Sequence, residues 1–335
     1  MRNSLGVGIV GYGKVGAVTH RNWINQAADA QLVAVCDATA VRREAARTDN
    51  PEANVYDDYA AMLADPQVEL VIVTTPPNSH CALACQAAAA GRHVFVDKPF
   101  AMTLAEAETM LAAGERAGVV MHCHQSRRYD GEYRAIVETV KAGRIGEIVH
   151  LRRVWSQYGI GWATWGIEGF NPTWRVQREY GGGMVYDYAP HCGDQILRLI
   201  DQPLSQVFAD ARGIKFSAEV DDHFSCEMRF ANGATAYLEA SNMMRLPAPH
   251  WYVIGTEGCL VGEQVGGSIK LLAEGMEQPE TIEAINDRPA LYQNLIAACR
   301  GTAEPVVTPA QLRASMGLID AIFASAAQGQ PVAVA

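Results

Sequence analysis

The sequence has no apolar run long enough to cross a membrane as a helix, although 49% of its 335 residues are hydrophobic. Its N-terminal stretch, residues 1–13 (MRNSLGVGIVGYG), lacks the long apolar segment and small-residue cleavage site of a secretory signal. The eight cysteines are scattered. In a chain without a secretion signal we expect them to be reduced and mostly buried. These absences predict a soluble, cytoplasmic protein.

Basic residues are in the minority, with 27 Lys and Arg against 37 Asp and Glu and a formal net charge of −10. This net charge does not favour nucleic acid or an anionic membrane as a partner, so we expect a small-molecule ligand. His122, Cys123 and His124 lie side by side in MHCHQ (121–125). The alternation is typical of a strand end, however, and no second ligand pair has zinc spacing. We therefore predict no metal site.

Short apolar segments alternate with helical segments over the first 125 residues. The apolar segments have no polar face, which is typical of parallel strands covered on both sides by helices. The pattern predicts a doubly wound α/β domain over residues 1–125, with ligands beyond the carboxyl ends of the strands. The five predicted strands are residues 5–10, 30–37, 68–76, 93–99 and 119–124.

Glycines recur at the end of the first predicted strand, in GYGKVG (11–16). In this pattern Gly11 permits a tight turn, Gly13 lets the backbone approach a pyrophosphate, and Gly16 lets the next helix pack closely on the sheet. The helix N-terminus offers N–H groups to the phosphates. The second strand ends in Asp37, where a carboxylate binds adenosine ribose hydroxyls. The context predicts dinucleotide binding, with a purely structural glycine turn as the alternative.

Asp37 also bears on the choice of cofactor. Its carboxylate repels a 2′-phosphate, and Ala38 and Thr39 place no cation directly after it. Arg42 and Arg43, one turn further on, are within reach of a phosphate. We expect NAD to be preferred, with NADP as the second option.

The pattern changes in the second half of the chain, where long alternating strands predominate. Residues 222–241 predict a hairpin with Asn232 and Gly233 at its turn. Residues 126–335 therefore predict an α+β domain with a large, open-faced, mostly antiparallel sheet, and a C-terminal helix that packs back on the first domain. An uncovered apolar sheet face favours self-association, so we expect a homodimer or homotetramer formed through this sheet.

Asp187 and His191 stand one helical turn apart in GGGMVYDYAPHCGD (181–194). An acid that orients an imidazole is a common proton-transfer device. A structural pair at a helix start, with Pro190 near the first turn, is the alternative. Pro190 also makes a regular helix through this pair uncertain, and Asp194 is interpreted as a structural hydrogen-bonding residue.

The chain resembles the Gfo/Idh/MocA family of oxidoreductases over nearly its full length. The matching stretches are GVGIVGYGKVG, VTTPPNSH, VFVDKPFAMT, GRIGEIV, GGGMVYDYAPHCGD and DAIFASAAQGQPV, with VDKP in place of the commoner Glu-Lys-Pro. The resemblance implies a Rossmann nucleotide domain followed by an open-faced sheet domain. It also implies that Lys98, Asp187 and His191 are catalytic, with His191 accepting the substrate proton, Asp187 orienting it and Lys98 bonding the reacting oxygen.

The remaining candidates surround these groups. The predicted cofactor-binding residues, at or near the carboxyl ends of the strands, are Gly11, Tyr12, Gly13, Lys14, Val15, Gly16, Asp37, Thr74, Thr75, Pro76, Asn78, His80, Asp97, Lys98 and Gln125. The predicted substrate contacts, chosen mainly from the Trp-, Tyr- and Arg-rich stretch 152–175, are Lys98, Tyr129, Arg153, Trp165, Asn171, Arg175 and His191. A packed loop or an oligomer interface would explain that stretch equally well.

The leading hypothesis is an NAD(P)-dependent dehydrogenase or reductase that acts on a secondary alcohol or ketone of a sugar, cyclitol or related polyol. One alternative is a redox-neutral enzyme, catalysing elimination, epimerisation or glycoside cleavage with tightly bound NAD. A non-catalytic dinucleotide sensor is disfavoured, because a sensor needs no proton-transfer group.

Overall fold

The structure is a computed structural model that describes residues 4–161, 171 and 173–334. The chain divides into two compact units, neither of which is continuous in sequence. The first comprises residues 1–124, 161–181 and 289–313, and the second comprises residues 125–160, 182–288 and 314–335.

The first unit contains a six-stranded parallel sheet in the described residues, with strand order β3-β2-β1-β4-β5-β6. This order is that of a doubly wound dinucleotide-binding sheet, so the predicted fold class is confirmed. Its strands are β1 (Leu5–Val10), β2 (Ala30–Cys36), β3 (Asn54–Tyr56), β4 (Leu70–Val73), β5 (His93–Val96) and β6 (Met121–Cys123). Its helices are a π-helical turn (Val15–His20), α1 (Arg21–Gln26), α2 (Ala40–Asp49), α3 (Tyr59–Ala64), α4 (His80–Ala89) and α5 (Leu104–Ala117).

Strand β3 is the one strand of this sheet, in the described residues, that the sequence pattern missed. It has only three residues, none of them buried, and lies at the edge of the sheet beside β2. A short edge strand has neither an apolar run nor a clear alternation, whereas every residue of β1 and β4 is buried. The strand matters for the site because Asp57 follows it directly.

The second unit contains a nine-stranded sheet in the order β14-β13-β12-β11-β7-β10-β9-β8-β15. Only the β7–β10 pair is parallel among the strand pairs of this sheet in the described residues, which confirms the predicted mostly antiparallel sheet. Its first five strands are β7 (Ile148–Ser156), β8 (Leu204–Arg212), β9 (His223–Phe230), β10 (Thr235–Ser241) and β11 (Trp251–Gly255). The others are β12 (Gly258–Gly262), β13 (Ile269–Ala273), β14 (Glu280–Ile282) and β15 (Val332–Ala333).

Helices cover one face of this sheet. Helix α6 (Gly131–Lys141) packs on β13, and the almost wholly buried α7 (Met184–Ile200) packs on β7, β9 and β10. Helix α8 (Pro289–Cys299) belongs to the first unit, and α9 (Pro309–Gln328) begins there and continues in the second. In the described part of the chain, no helix is long and apolar enough to cross a membrane.

Candidate active site

The glycine turn after β1 has the predicted close geometry. Gly11 has φ +90°, and a Cβ built on it would lie 2.9 Å from the Thr75 backbone nitrogen. A Cβ on Gly16 would lie 2.6 Å from the Gly11 carbonyl oxygen. The atom nearest to a Cβ on Gly13 is Arg42 Nη1, 3.5 Å away. Gly11 and Gly16 are therefore packed against the protein, while Gly13 approaches only the end of the Arg42 side chain.

A pocket of about 420 Å³ opens at this turn, beyond the carboxyl ends of β1, β2 and β4. Nine predicted cofactor-binding residues line it: Gly11, Gly13, Lys14, Val15, Asp37, Thr74, Thr75, Pro76 and Asn78. The size and position of the pocket fit part of a dinucleotide.

Asp37 is buried at the pocket and is held both by the glycine turn after β1 and by its own segment. Its carboxylate accepts hydrogen bonds from the backbone N–H of Tyr12 (2.7 Å), the backbone N–H of Thr39 (2.8 Å) and the Thr39 hydroxyl (2.8 Å). Arg42 Nη1 lies 3.9 Å from Asp37 Oδ2 and also lines the pocket. Arg43 instead donates to the backbone oxygens of Asp37 and Ala38, both at 2.9 Å. The pocket thus carries both a carboxylate and a guanidinium where the ribose would bind.

Three other predicted cofactor residues support the walls of this pocket from behind. Tyr12 is fully buried, and its hydroxyl bonds Asp49 and Asn50. Gly16 packs against the turn. The His80 ring nitrogens lie 2.8 Å from the Thr75 oxygen and 2.9 Å from the Pro99 oxygen. His80 therefore links the loop after β4 to the turn that follows Lys98.

Lys98 is half-buried at the carboxyl end of β5, directly after Asp97. Asp97 Oδ1 lies 3.0 Å from His124 Nδ1, and the Tyr292 hydroxyl lies 2.9 Å from His20 Nδ1 and 3.4 Å from His124 Nε2. Burial lowers the pKa of His20 to about 3. Burial opposes ionisation of Asp97, but the hydrogen bond to His124 and the electrostatic interactions with His124 and Lys98 hold the pKa of Asp97 well below its usual range.

His20, Asp97 and His124 each offer a ligand atom within 4.8 Å of the others. Hydrogen bonds join Asp97 to His124, and the Tyr292 hydroxyl to both His20 and His124. This arrangement is a buried polar network beneath the strand end that carries Lys98.

Asp187 and His191 lie on α7 in the second unit. The helix is continuous through Pro190, so the two side chains share a face at i and i+4. Asp187 is partly exposed, and His191 is 8% exposed. The following residue of the same turn, Tyr188, donates to Gln157 Oε1 at 3.0 Å and packs its ring on Trp155 with centroids 4.8 Å apart. The predicted pair is therefore on one helix turn, beside Tyr188, whose ring packs on Trp155 of β7.

The structure places the other predicted substrate contacts in varied surroundings. Asn171 is bonded to its own loop, through Gln177 Oε1 at 2.6 Å and Thr173. Tyr129 is partly exposed and lies in the second unit. Gln125, predicted to bind the cofactor, is buried and also lies in the second unit. Trp165 lies outside the described residues.

The assignment of Arg153 to substrate contact does not fit the structure. Arg153 is fully buried, donates to Gln195 Oε1 at 3.3 Å and lies over the Trp251 ring at 4.8 Å. Arg153 is therefore a core residue. Asp194, by contrast, forms a two-bond ion pair with Arg128 at 2.7 and 2.6 Å, which agrees with a structural interpretation.

Sequence reasoning missed several pocket residues. Asp57 and Tyr59 follow the unrecognised strand β3, so recognising that edge strand would have pointed to them. Trp174, Arg175 and Tyr180 line the same pocket from a later segment of the chain. Arg175, predicted as a substrate contact, thus lines the nucleotide pocket, stacked on Trp174 at 4.3 Å. No local signal in the sequence shows that residues 173–180 return to the first unit.

Comparison with known proteins agrees with this geometry. Residues 5–125 match the model of the Gfo/Idh/MocA oxidoreductase family, NAD-binding Rossmann fold, and residues 133–261 match a C-terminal domain model of the same family. A solved NAD-binding protein from Listeria innocua is 32% identical, with a TM-score of 0.87 and coverage of 98% of this chain and 97% of the other.

Two curated relatives have named activities. The scyllo-inositol 2-dehydrogenase (NADP(+)) IolW of Bacillus subtilis (strain 168) is 27% identical over 88% of this chain and 78% of its own length. The 1,5-anhydro-D-fructose reductase of Ensifer adhaerens is 28% identical over 95% and 97%. The chain belongs to the Gfo/Idh/MocA family of oxidoreductases, and its first unit is an NAD(P)-binding Rossmann fold.

Proposed function

We propose that this NAD(P)-dependent oxidoreductase moves a hydride between a nicotinamide and a secondary alcohol or ketone of a sugar, cyclitol or related polyol. The observation that carries the proposal is the dinucleotide pocket at the strand ends of a sheet that also presents Lys98 at the end of β5. Relatives that act on inositol and anhydrofructose support this substrate class. When bound, the nicotinamide supplies the hydride chemistry.

The protein groups handle the proton and the charge on oxygen. During oxidation, His191 accepts the hydroxyl proton, since an imidazole titrates near neutral pH and is an effective base there. Asp187, one turn earlier, orients the imidazole and stabilises its protonated form. The Lys98 ammonium bonds the reacting oxygen and stabilises the negative charge that develops on it. In the reductive direction the same groups act in reverse.

The first test is cofactor reduction by dialysed enzyme with NAD or NADP over a panel of cyclitols, aldoses, sugar acids and polyols. His191→Ala should lower turnover by about 10²–10⁴-fold while NADH binding stays unchanged. His93→Ala is the matched control, because His93 is the first residue of β5 and lies at the amino end of that strand, away from the pocket at the carboxyl ends. Unchanged turnover in His191→Ala would refute the assignment of the base.

NAD is the preferred cofactor in this proposal, because the Asp37 carboxylate repels a 2′-phosphate. Arg42 works in the other direction and limits the preference, since its guanidinium lies in the same pocket. The ratio of kcat/KM for NAD and NADP should therefore fall in Asp37→Ala and rise in Arg42→Ala. Opposite shifts would overturn the cofactor argument.

A redox-neutral reaction with retained cofactor is the second candidate. It is favoured by the Trp174, Arg175 and Tyr180 side chains, which add walls to the pocket from a separate segment and would slow cofactor release. Nicotinamide that stays with the protein through purification, together with turnover in the absence of added cofactor, would support this candidate over the dehydrogenase.

The first domain in this proposal binds the dinucleotide, and the second binds substrate and forms a homodimer or homotetramer through its sheet. The face opposite the helices exposes Phe208 (46%), Tyr252 (39%) and Leu272 (39%) from three different strands. Apolar side chains spread over one face favour association. Sedimentation should give a mass of two or four chains, and Phe208→Glu should lower it; a monomeric wild type would refute this part.

A further inference from the structure

Helix α7 begins at a residue that cannot supply the usual cap. Ser, Thr, Asp and Asn are preferred before a helix because their side-chain oxygen accepts a bond from an N–H of the first turn. Gly183 occupies this position, with φ +112° and no side chain. The turn that follows carries Asp187. An uncapped helix start would leave this turn poorly fixed.

Asp221 supplies the missing bond from the connection between β8 and β9. Its Oδ2 accepts from the Val185 N–H at 2.7 Å, and its backbone oxygen accepts from the Met184 N–H at 3.0 Å. Val185 is the second helical residue, whose N–H an N-cap side chain normally satisfies. A Cβ at Gly183 would lie 2.4 Å from Asp221 Oδ1. Only a residue without a side chain at position 183 therefore leaves room for the Asp221 carboxylate at the helix start.

The same turn is weakened on its other side by Pro190. Proline has no N–H, so it cannot make the bond from position 190 to the carbonyl of Tyr186, and its ring crowds that carbonyl. The first helical bond, from the Asp187 N–H to the Gly183 oxygen, is 3.1 Å long. Residues 184–190 therefore form a short helical stretch between a glycine start and a missing internal bond, and their placement depends on Asp221.

We propose that Asp221 is a positioning residue for the reaction, which fixes the first turn of α7 and thereby places Asp187 and His191. The inference rests on the proposed function for the roles of those two residues. A negative charge is favoured at a helix N-terminus. Burial disfavours the charged form of Asp221 and raises its pKa to about 6, although hydrogen bonds from the Val185 and Met184 N–H groups lower that pKa.

The test uses three variants of the full chain, Asp221→Ala, Asp221→Asn and Thr308→Ala. Thr308 is a matched control because it caps α9, with Oγ1 accepting from the Gln311 N–H at 3.3 Å. Hydrogen exchange of residues 184–189 reports the helix start. The kcat and KM, measured with the substrate and cofactor found in the panel, report the reaction, and NADH titration reports the first unit.

Asp221→Ala should speed exchange over 184–189 and lower kcat on the order of 10–100-fold, as small misplacements of catalytic groups do. NADH affinity should not change. Asp221→Asn should keep most of the protection and of kcat, because its amide oxygen accepts the same bond. Thr308→Ala should leave both readouts at the wild-type level. If Asp221→Ala does not fold, Gly183→Ala is the second variant. Its new methyl group would push the Asp221 carboxylate away from the helix N-terminus, and turnover should also slow.

Three results would overturn the proposal: wild-type exchange in Asp221→Ala, a wild-type kcat despite faster exchange, or an equal loss of kcat in Thr308→Ala. Failure of the proposed function looks different. In that case the wild type itself turns over no member of the panel, while exchange over 184–189 still shows whether Asp221 holds the helix start.

Discussion

Replacing Gly16 by alanine should separate the first helical turn from the sheet. The new Cβ would lie 2.6 Å from the Gly11 carbonyl oxygen, 2.9 Å from Thr74 Oγ1 and 3.3 Å from Ile9 Cγ2. The nearest of these atoms belongs to the backbone, so the helix must move rather than a flexible side chain. Overpacking of this kind costs about 1–3 kcal/mol.

The displacement should also weaken dinucleotide binding. A helix N-terminus contributes up to about 2 kcal/mol to a nearby anionic group, and losing roughly 1–2 kcal/mol raises Kd about 5–30-fold. Gly317→Ala is the matched control. Gly317 lies within α9, and a Cβ there would meet nothing within 4 Å. This substitution should stabilise the protein by about 0.5–1 kcal/mol and leave NADH binding unchanged.

Thermal unfolding without cofactor and titration with NADH measure the two effects. For a domain of this size, about 2–4 °C is lost per kcal/mol. If Gly16→Ala unfolds at the wild-type temperature and binds NADH with the wild-type Kd, the helix does not need to pack this closely, and the role given to this glycine is wrong.

Two further predictions concern charge and burial. Asp194→Asn leaves the Arg128 guanidinium buried without its counter-charge and should cost about 3–5 kcal/mol. Glu108→Gln breaks the equally two-bonded but half-exposed pair with Arg313 and should lower the Tm far less. Similar Tm losses in the two variants would contradict the argument from burial. The free energy of unfolding should be fully maintained above pH 6.5 and fall as the pH drops toward 3, because His20 stays neutral in the fold but is protonated in the unfolded chain. His20 contributes up to about 1.4 kcal/mol per pH unit to the slope of the free energy of unfolding against pH. Chemical denaturation of His20→Gln at several pH values should therefore give a shallower slope. An unaltered slope would exclude His20 as its source.

The sequence pattern was sufficient for the parts of the fold that depend on long apolar runs. β1 and β4 are buried throughout and were predicted directly, and the glycine spacing located the nucleotide pocket. The three-residue edge strand β3 carries too little apolar surface to be recognised, so Asp57 behind it was missed. Local patterns show which residues are apolar. They do not show that a distant segment, such as residues 173–180, contributes to the same pocket.

Two residues show where tertiary packing outweighs local preference. Pro190 made a regular helix uncertain, yet α7 continues through it, because nearly every residue around it is buried against the sheet and Asp221 holds the start. Arg153 was predicted to contact a substrate because it lies in the Trp-, Tyr- and Arg-rich stretch 152–175. Its guanidinium is instead enclosed by Trp251, Gln195 and backbone oxygens.

The hydrogen bond between His20 and Tyr292 joins residues 272 positions apart within the first unit. During synthesis at about 5–20 residues per second, the ribosome needs roughly 15–55 s to reach Tyr292 after it has added His20. Throughout that interval the nascent nucleotide-binding sheet lacks the residues that complete its buried polar network. The unit can be finished only after α8 has been synthesised, so a ribosome that stalls before α8 leaves an incomplete dinucleotide domain.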